Sequence, residues 1–356
     1  MKKKTLMVGL LAMLLVLVLT LAGCGGGNQS SDKGEVRVYC YGDYMEPELV
    51  DAFEEETGIK VVLDTFDTAE EMYPVIAKGS VDYDVICVSD YIIQRLIEEN
   101  LLAEIDFDNV PNAENIEDRF MEKAAASDPG NLYTVPHTYG TLGIMYNTEH
   151  IAPGELKSWN DLWNEKYAQQ IVMPDSMRDN FAIALKALGY SINTTDEKEL
   201  AEASAYMAKQ KPLVYKYAND SARDLAIGGS ADIAVVWNGE ILYSQEENEN
   251  LEYVLPEEGT EEFLDLWAIP AAAQNKENAE AWINFMLSED SAIANYEYLT
   301  YSIPNTAVID YIGDDEQVMG YLFPDDQVLA KCETLQNLGA EGDDLYGKYW
   351  KEFKAE

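Results

Sequence analysis

The sequence predicts an α/β protein with two lobes, the first built on a doubly wound parallel sheet. Three observations carry this. Strand-like apolar runs alternate with helix-like stretches over residues 36–100, and a second alternation starts at Ser158. The chain is 356 residues long and 47% hydrophobic, enough for more than one core of ordinary size.

Residues 36–40 (VRVYC) alternate and end at a turn, as a strand does. A helix is expected next, opened by Pro47 between Glu46 and Glu48, buried through Leu49, Val50 and Phe53, and stopped at Gly58. Residues 59–63 form the second strand. Residues 68–78 read as a helix with Met72, Val75 and Ile76 inward, closed by Gly79. Residues 84–88 (DVICV) give a continuous apolar strand of the kind buried on both faces, and a helix follows from Tyr91 to about Asn100. This order implies right-handed crossovers and helices on both sides of a parallel sheet. Ligands bind beyond the carboxyl ends of such strands, which places Tyr41, Gly42, Asp43 and Tyr44, together with Ser89, Asp90 and Tyr91, where a site belongs.

In the second unit, residues 158–163 (SWNDLW) start a short helix, 171–173 form a strand, and 181–188 a helix. Thr195 or Asp196 caps another helix running to Lys209. Residues 231–237 and 264–269 read as two further strands. The Glu-dense stretch 245–262 reads as a solvated surface.

With 24 Lys+Arg against 66 Asp+Glu, the formal charge is −42, which disfavours nucleic acid and anionic lipid surfaces as partners. The two histidines, His137 and His150, have no HExxH or cysteine-rich companion, so zinc chemistry and Ser-His-Asp catalysis have little material. No metal or cofactor is expected, and no catalytic activity. Lys2, Lys3 and Lys4 precede an apolar stretch over 6–19, too short to span a bilayer and sized for an export signal. The following Leu21, Ala22, Gly23 and Cys24 resemble a bacterial lipobox. Residues 1–23 are therefore expected to be removed, Cys24 to carry the lipid, and 24–34, rich in Gly and Ser, to act as a tether. The expected location is extracytoplasmic, anchored to the bacterial cell membrane. Cys40 and Cys87 each sit near the end of an expected strand; buried reduced thiols are the simpler reading, and a disulfide is open only if those two strands are neighbours.

Aromatic and acidic residues recur together at strand ends: Tyr41, Asp43 and Tyr44; Asp90 and Tyr91; Trp237 and Glu240; Phe263, Asp265 and Trp267; with Asp175 and Asp179 after another strand. Ring faces attract ammonium groups and pack on methylenes, while carboxylates meet charge directly. That combination suits an organic cation with an apolar body. Paired carboxylates with aromatic platforms also suit a secreted carbohydrate-active enzyme, which spacing alone leaves open.

The chain resembles the polyamine (spermidine/putrescine) solute-binding proteins of bacterial ABC importers over essentially its whole length after the leader. The resemblance is carried by YCYGDY at 39–44, FEEETGIKV at 53–61, YDV at 83–85, SWNDLW at 158–163, LGY at 188–190, VWNG at 236–239, LWAIP at 266–270 and YSIPN at 301–305. It implies a two-lobed, type II periplasmic-binding-protein-like fold, each lobe a mixed sheet flanked by helices, with the ligand in the cleft between them. It divides the chain into 35–140 with 267–309 and 141–266 with 310–356. It implies ligand contacts from Tyr41, Gly42, Asp43, Tyr44, Ser89 and Tyr91 in the first lobe, and from Ser176, Asp179, Trp237, Glu240, Phe263, Asp265, Tyr301 and Gln336 in the second lobe and hinge. The implied partners are a polyamine, putrescine and/or spermidine, and the importer's membrane subunits, with the receptor a monomer. Where this chain has Tyr41, Phe263 and Ser176, family members usually carry Trp, Trp or another aromatic, and, in spermidine-preferring members, Asp. Glu240 falls where putrescine-preferring members carry an acid. A related binder for another small ligand is the remaining alternative; an anion would want Arg or Lys among these residues, and they contain none.

Overall fold

A computed structural model of the chain describes residues 33–42, 44–219 and 221–355. The expected leader, most of the tether, Cys24 and Asp43 lie outside the described residues. No helix among the described residues is long and apolar enough to cross a membrane.

Strand β1 (Glu35–Tyr41) is flanked in parallel by β2 (Lys60–Phe66) and β3 (Val85–Ser89), as the alternation requires. The helices Glu48–Thr57 and Ala69–Lys78 between them, and Asp90–Glu98 after β3, begin and end within a residue or two of the expected limits. Thr68 caps the second by accepting from the Glu71 N–H. Gly58 ends the first at φ 73°, a left-handed conformation that costs glycine nothing. Then follow β4 (Leu102–Ala103), β5 (Thr134–Asn147), β6 (Ile171–Met173), β7 (Val214–Tyr217), β8 (Ile233–Trp237), β9 (Leu251–Val254), β10 (Glu261–Pro270) and β11 (Glu333–Thr334).

The strand order is β2-β1-β3-β10-β5-β8-β6-β7. Both lobes are mixed, because β10 runs antiparallel to β3 and β5 runs antiparallel to β8. Strand β5 joins the lobes: from Thr134 to Thr141 it pairs with β10, and from Leu142 to Tyr146 with β8. Every residue of β5 is buried, so it shows no polar alternation. It also holds Pro136, beside an irregularity in the β5–β10 register between Asp265 and Leu266 that leaves His137 without a cross-strand partner. A proline lacks a ladder donor and is tolerated at such a bulge.

The first core surrounds β1, β3 and β10 and includes Phe53, Ile86, Trp267 and Trp282. It also takes in Leu322 and Phe323, with Phe323 facing Phe120 at 6.1 Å between ring centroids, although the sequence division gives residues 310–356 to the second lobe. In the second lobe Trp159, Ile171 and Ile233 form one cluster, and Phe181 forms another with Tyr346 and Phe353 of the C-terminal helix Gly339–Ala355. The lobes touch outside the sheet as well: Asn337 Nδ2 donates to Glu98 Oε2 at 3.1 Å, and Arg95 Nη1 lies 3.7 Å from Asp343 Oδ2.

Two expectations resolve here. Cys40 and Cys87 are free, buried thiols, and burial pushes Cys40 up to about 12 and Cys87 well above its ordinary value. The Glu-dense stretch is only partly solvated. Glu261 and Glu262 lie in β10 and are buried, and Glu262 accepts from Lys123 Nζ at 2.9 Å and from the Tyr139 hydroxyl at 2.7 Å. Charge counted along the chain cannot see that a glutamate run enters a central strand.

Candidate functional site

The register of three strands assembles the centre of the site. Asp265 in β10 stands opposite Ser89 in β3 on one side and Thr138 in β5 on the other. Ser89 Oγ donates to Asp265 Oδ1 at 2.6 Å, and the Tyr44 hydroxyl donates to Oδ2. Thr138 Oγ1 lies 3.5 Å from the same Oδ2 and 2.5 Å from the Tyr44 hydroxyl, while the Tyr41 hydroxyl is 3.0 Å from Ser89 Oγ. Asp265 is 3% exposed, and no Lys or Arg among the described residues forms an ion pair with it. Burial raises its pKa to about 6, and the bonds from Ser89, Tyr44 and Thr138 hold it from rising further. It is therefore mostly ionised at neutral pH. Burial, then the Asp265 charge, pushes both Tyr41 and Tyr44 well above 10, so these hydroxyls stay protonated as donors.

His137, one residue before Thr138, packs between Trp267 (4.7 Å) and Tyr44 (5.5 Å), with Nε2 3.3 Å from the Tyr44 carbonyl. Burial lowers its pKa to about 4, so it is a neutral packing residue behind the site.

Two groups of rings stand at these strand ends. Tyr41 meets Tyr44 edge to face at 5.2 Å and rests on Phe66 at 4.5 Å. Trp237 meets Phe263 edge to face at 4.8 Å. A Cβ on Gly140 of β5 would lie 2.4 Å from the Phe263 ring, and one on Gly239 would lie 2.2 Å from the Tyr301 ring, so both glycines are required for the aromatic wall to close. Gly239→Ala is expected to push Tyr301 aside and weaken ligand binding about tenfold with a small change in melting temperature, measured by calorimetric titration and a thermal melt. Asn238 holds the same corner, donating to Ser302 Oγ at 3.2 Å and to the Tyr321 carbonyl at 3.0 Å.

The second-lobe acids stand in two settings. Asp179 lies in the first turn of the helix Met177–Leu188, and its N-cap Ser176 donates through Oγ to Asp179 Oδ1 at 2.8 Å. Burial raises the Asp179 pKa to about 6, and no described Lys or Arg forms an ion pair with it. Glu240 opens the helix Glu240–Glu247 and already has both oxygens engaged: Arg223 Nη1 donates to Oε2 at 2.8 Å and the Tyr301 hydroxyl to Oε1 at 2.9 Å.

Tyr91 extends the first-lobe wall. Its hydroxyl donates to Glu70 Oε1 at 2.9 Å, and the Arg178 guanidinium lies 6.0 Å from its ring centroid. Gly42 and Gln336 are exposed. The Gln336 main chain donates to Asn193 Oδ1 at 2.8 Å and accepts from Arg178 Nη1 at 3.4 Å. Asp175 points elsewhere and accepts from Lys354 Nζ at 2.5 Å. Asp90 is buried behind Tyr91, whose N–H its Oδ1 accepts at 2.8 Å.

Sequence reasoning missed Thr138, Glu70, Glu261 and Arg223. Glu261 is buried, its Oε2 has no hydrogen-bond partner among the described residues, and burial followed by the Asp179 charge raises its pKa well above the usual carboxylate range. Thr138 was hidden because β5 was not expected, and Arg223 because its partner lies 17 residues away in sequence. Among the described residues no group of three or more His, Cys, Asp or Glu is placed to hold a metal ion.

Comparison with known proteins follows the same lines. The model of the bacterial extracellular solute-binding protein family matches residues 48–319. The spermidine/putrescine-binding periplasmic protein of Salmonella typhimurium is 33% identical over 328 residues, 92% of this chain and 93% of that protein. That of Escherichia coli is 31% identical over the same share of each. In structure, the spermidine/putrescine ABC transporter substrate-binding protein PotD of Streptococcus pneumoniae superposes with a TM-score of 0.78 at 33% identity, covering 90% of this chain and 99% of its own. The two lobes, the crossing strands and the match over three quarters of the sequence agree, and the chain belongs to the family of bacterial extracellular solute-binding proteins.

Proposed function

We propose that this chain captures a polyamine, putrescine and/or spermidine, between its lobes and delivers it to the membrane subunits of an ABC importer, without chemistry of its own. One observation carries the reading: Asp265 is a buried carboxylate beside the rings of Tyr41 and Tyr44, Asp179 is a half-buried one whose pKa is likewise raised, and neither forms an ion pair with a Lys or Arg among the described residues. Burying an ionised carboxylate is costly unless a cation meets it. A multiply protonated alkyl chain supplies that cation, and Tyr41, Tyr44, Trp237, Phe263 and Tyr301 flank its methylenes. The relatives named above bind spermidine and putrescine by their descriptions, which supports the same ligand here.

Residues 35–140 with 267–309 form the first closing unit in this reading and 141–266 with 310–356 the second, with Leu322 and Phe323 of the second packed into the core of the first. A ligand that touches both favours the closed arrangement by its contacts in that state alone, and the importer reads the closed surface. Isothermal titration calorimetry with putrescine, spermidine and spermine tests this: saturable heat with at least one is expected, and heat with none contradicts it.

The receptor is held at the outer face of the membrane as a monomer through lipid on Cys24, a reading supported by the lipobox and the Gly/Ser tether. Cys24→Ala is expected to move the protein from the membrane fraction to the soluble fraction and to remove the diacylglyceryl mass from the N-terminal peptide.

A further inference from the structure

The sequence offers three described acids as ligand contacts, Asp179, Glu240 and Asp265, and one of them carries its own counter-ion. Glu240 meets Arg223, which reaches it from the helix Ser221–Ile227 of the same lobe at 2.8 Å. Arg223 is itself fixed, its guanidinium 4.3 Å from the centroid of the Tyr243 ring. The other carboxylate oxygen of Glu240 is taken by the hydroxyl of Tyr301, the residue whose ring packs against Gly239. Asp265 and Asp179 have hydroxyl donors instead, from Ser89, Tyr44 and Thr138 and from Ser176.

The difference has a chemical consequence. A hydroxyl leaves a carboxylate its full negative charge, so a ligand ammonium neutralises a buried anion at Asp265 and a half-buried one at Asp179. An ammonium arriving at Glu240 must displace a guanidinium already neutralising it, exchanging one cation for another and breaking a ring-supported contact. Resting on the reading of the slot as a polyamine site, we propose that Arg223 is a built-in cation that takes the place of a ligand ammonium at Glu240, so that Glu240 does not read the ligand's charge while Asp265 and Asp179 do. Arg223 is thereby a specificity-determining residue outside the set of ligand contacts: it removes from recognition an acid that the sequence offers to the ligand.

The test is calorimetric titration of the full chain with putrescine and spermidine. Arg223→Met keeps the length and apolar stem, removes the charge and frees Glu240. It is expected to tighten binding of one or both amines about tenfold, the scale of one charge-assisted hydrogen bond. The gain is expected to vanish in Arg223→Met/Glu240→Gln. It is expected to be absent in Lys348→Met, which removes the same charge from an exposed position on the C-terminal helix. Unchanged affinity in Arg223→Met, an equal gain in Lys348→Met, or a gain that survives in the double variant would each overturn the proposal. If circular dichroism shows Arg223→Met unfolded, Arg223→Gln carries the same expected gain. Wild-type protein that binds neither amine overturns the polyamine reading and this proposal with it; wild-type that binds while the Arg223 variants bind equally overturns this proposal alone.

Discussion

Asp265→Asn is expected to weaken polyamine binding by about a hundredfold or more while leaving the ligand-free protein at least as stable as wild type. The two effects have one cause. In the closed slot the carboxylate meets an ammonium out of water, and removing one partner of such a pair costs about 3–5 kcal/mol, which is roughly two to three decades in affinity. Without ligand the same carboxylate is a buried anion with no described ion-pair partner, held by hydroxyls of Ser89, Tyr44 and Thr138. Asn keeps one acceptor for those donors and sheds the charge. Titration calorimetry and a thermal melt on one preparation read both quantities. A large loss of stability together with lost binding would mean that Asp265 holds the strands together and does not serve the ligand.

Acidification is expected to weaken binding steeply below pH 6. Asp265 and Asp179 both have pKa values raised to about 6, burial being the main cause in each. The amines remain protonated throughout, so the ligand does not change while the site does. At pH 5 each acid is about nine-tenths protonated, and affinity is expected to fall about tenfold if one acid meets an ammonium and up to about a hundredfold if both do. Stability moves the other way. A carboxyl whose folded pKa lies above its unfolded value binds its proton more tightly when folded. Its contribution is therefore fully present below pH 3.8, the ordinary Asp value, and is lost as the pH rises through about 6. Between pH 7 and pH 5 the ligand-induced rise in melting temperature shrinks while these two acids cease to burden the free protein. Affinity that is flat from pH 7 to pH 5 would contradict the role given to both.

Most of the first lobe could be read from the sequence, because its strands and helices are local patterns with local punctuation: Thr68 caps, Gly58 and Gly79 stop, and β3 is an unbroken apolar run. The hinge could not. β5 is buried along its whole length, carries Pro136, Gly140 and Gly143, and owes its extended form to two different partners, β10 and β8, more than 85 residues away in sequence. Losing β5 from view lost Thr138 with it. The acids and rings at strand ends were visible as residue types, and the fold brings Tyr41, Tyr44, Ser89, Phe263, Trp237 and Asp265 together at the edge where a doubly wound sheet presents them. What residue type could not convey was each acid's electrostatic state. Asp265, Asp179, Glu240 and Glu261 look alike in a sequence, yet they are two hydroxyl-held carboxylates, one neutralised by Arg223, and one whose pKa burial raises well above the usual range.

The central claim is that Asp265 and Asp179 are the anionic contacts of a bound alkyl polyamine. A crystal structure of the protein grown with putrescine or spermidine examines it most directly. An ammonium nitrogen about 2.7–3.2 Å from Asp265, with the alkyl chain between the Tyr41/Tyr44 and Trp237/Phe263 rings, is the result predicted. Ligand density elsewhere, with Asp265 still bonded to Tyr44 and Ser89 alone, would contradict it.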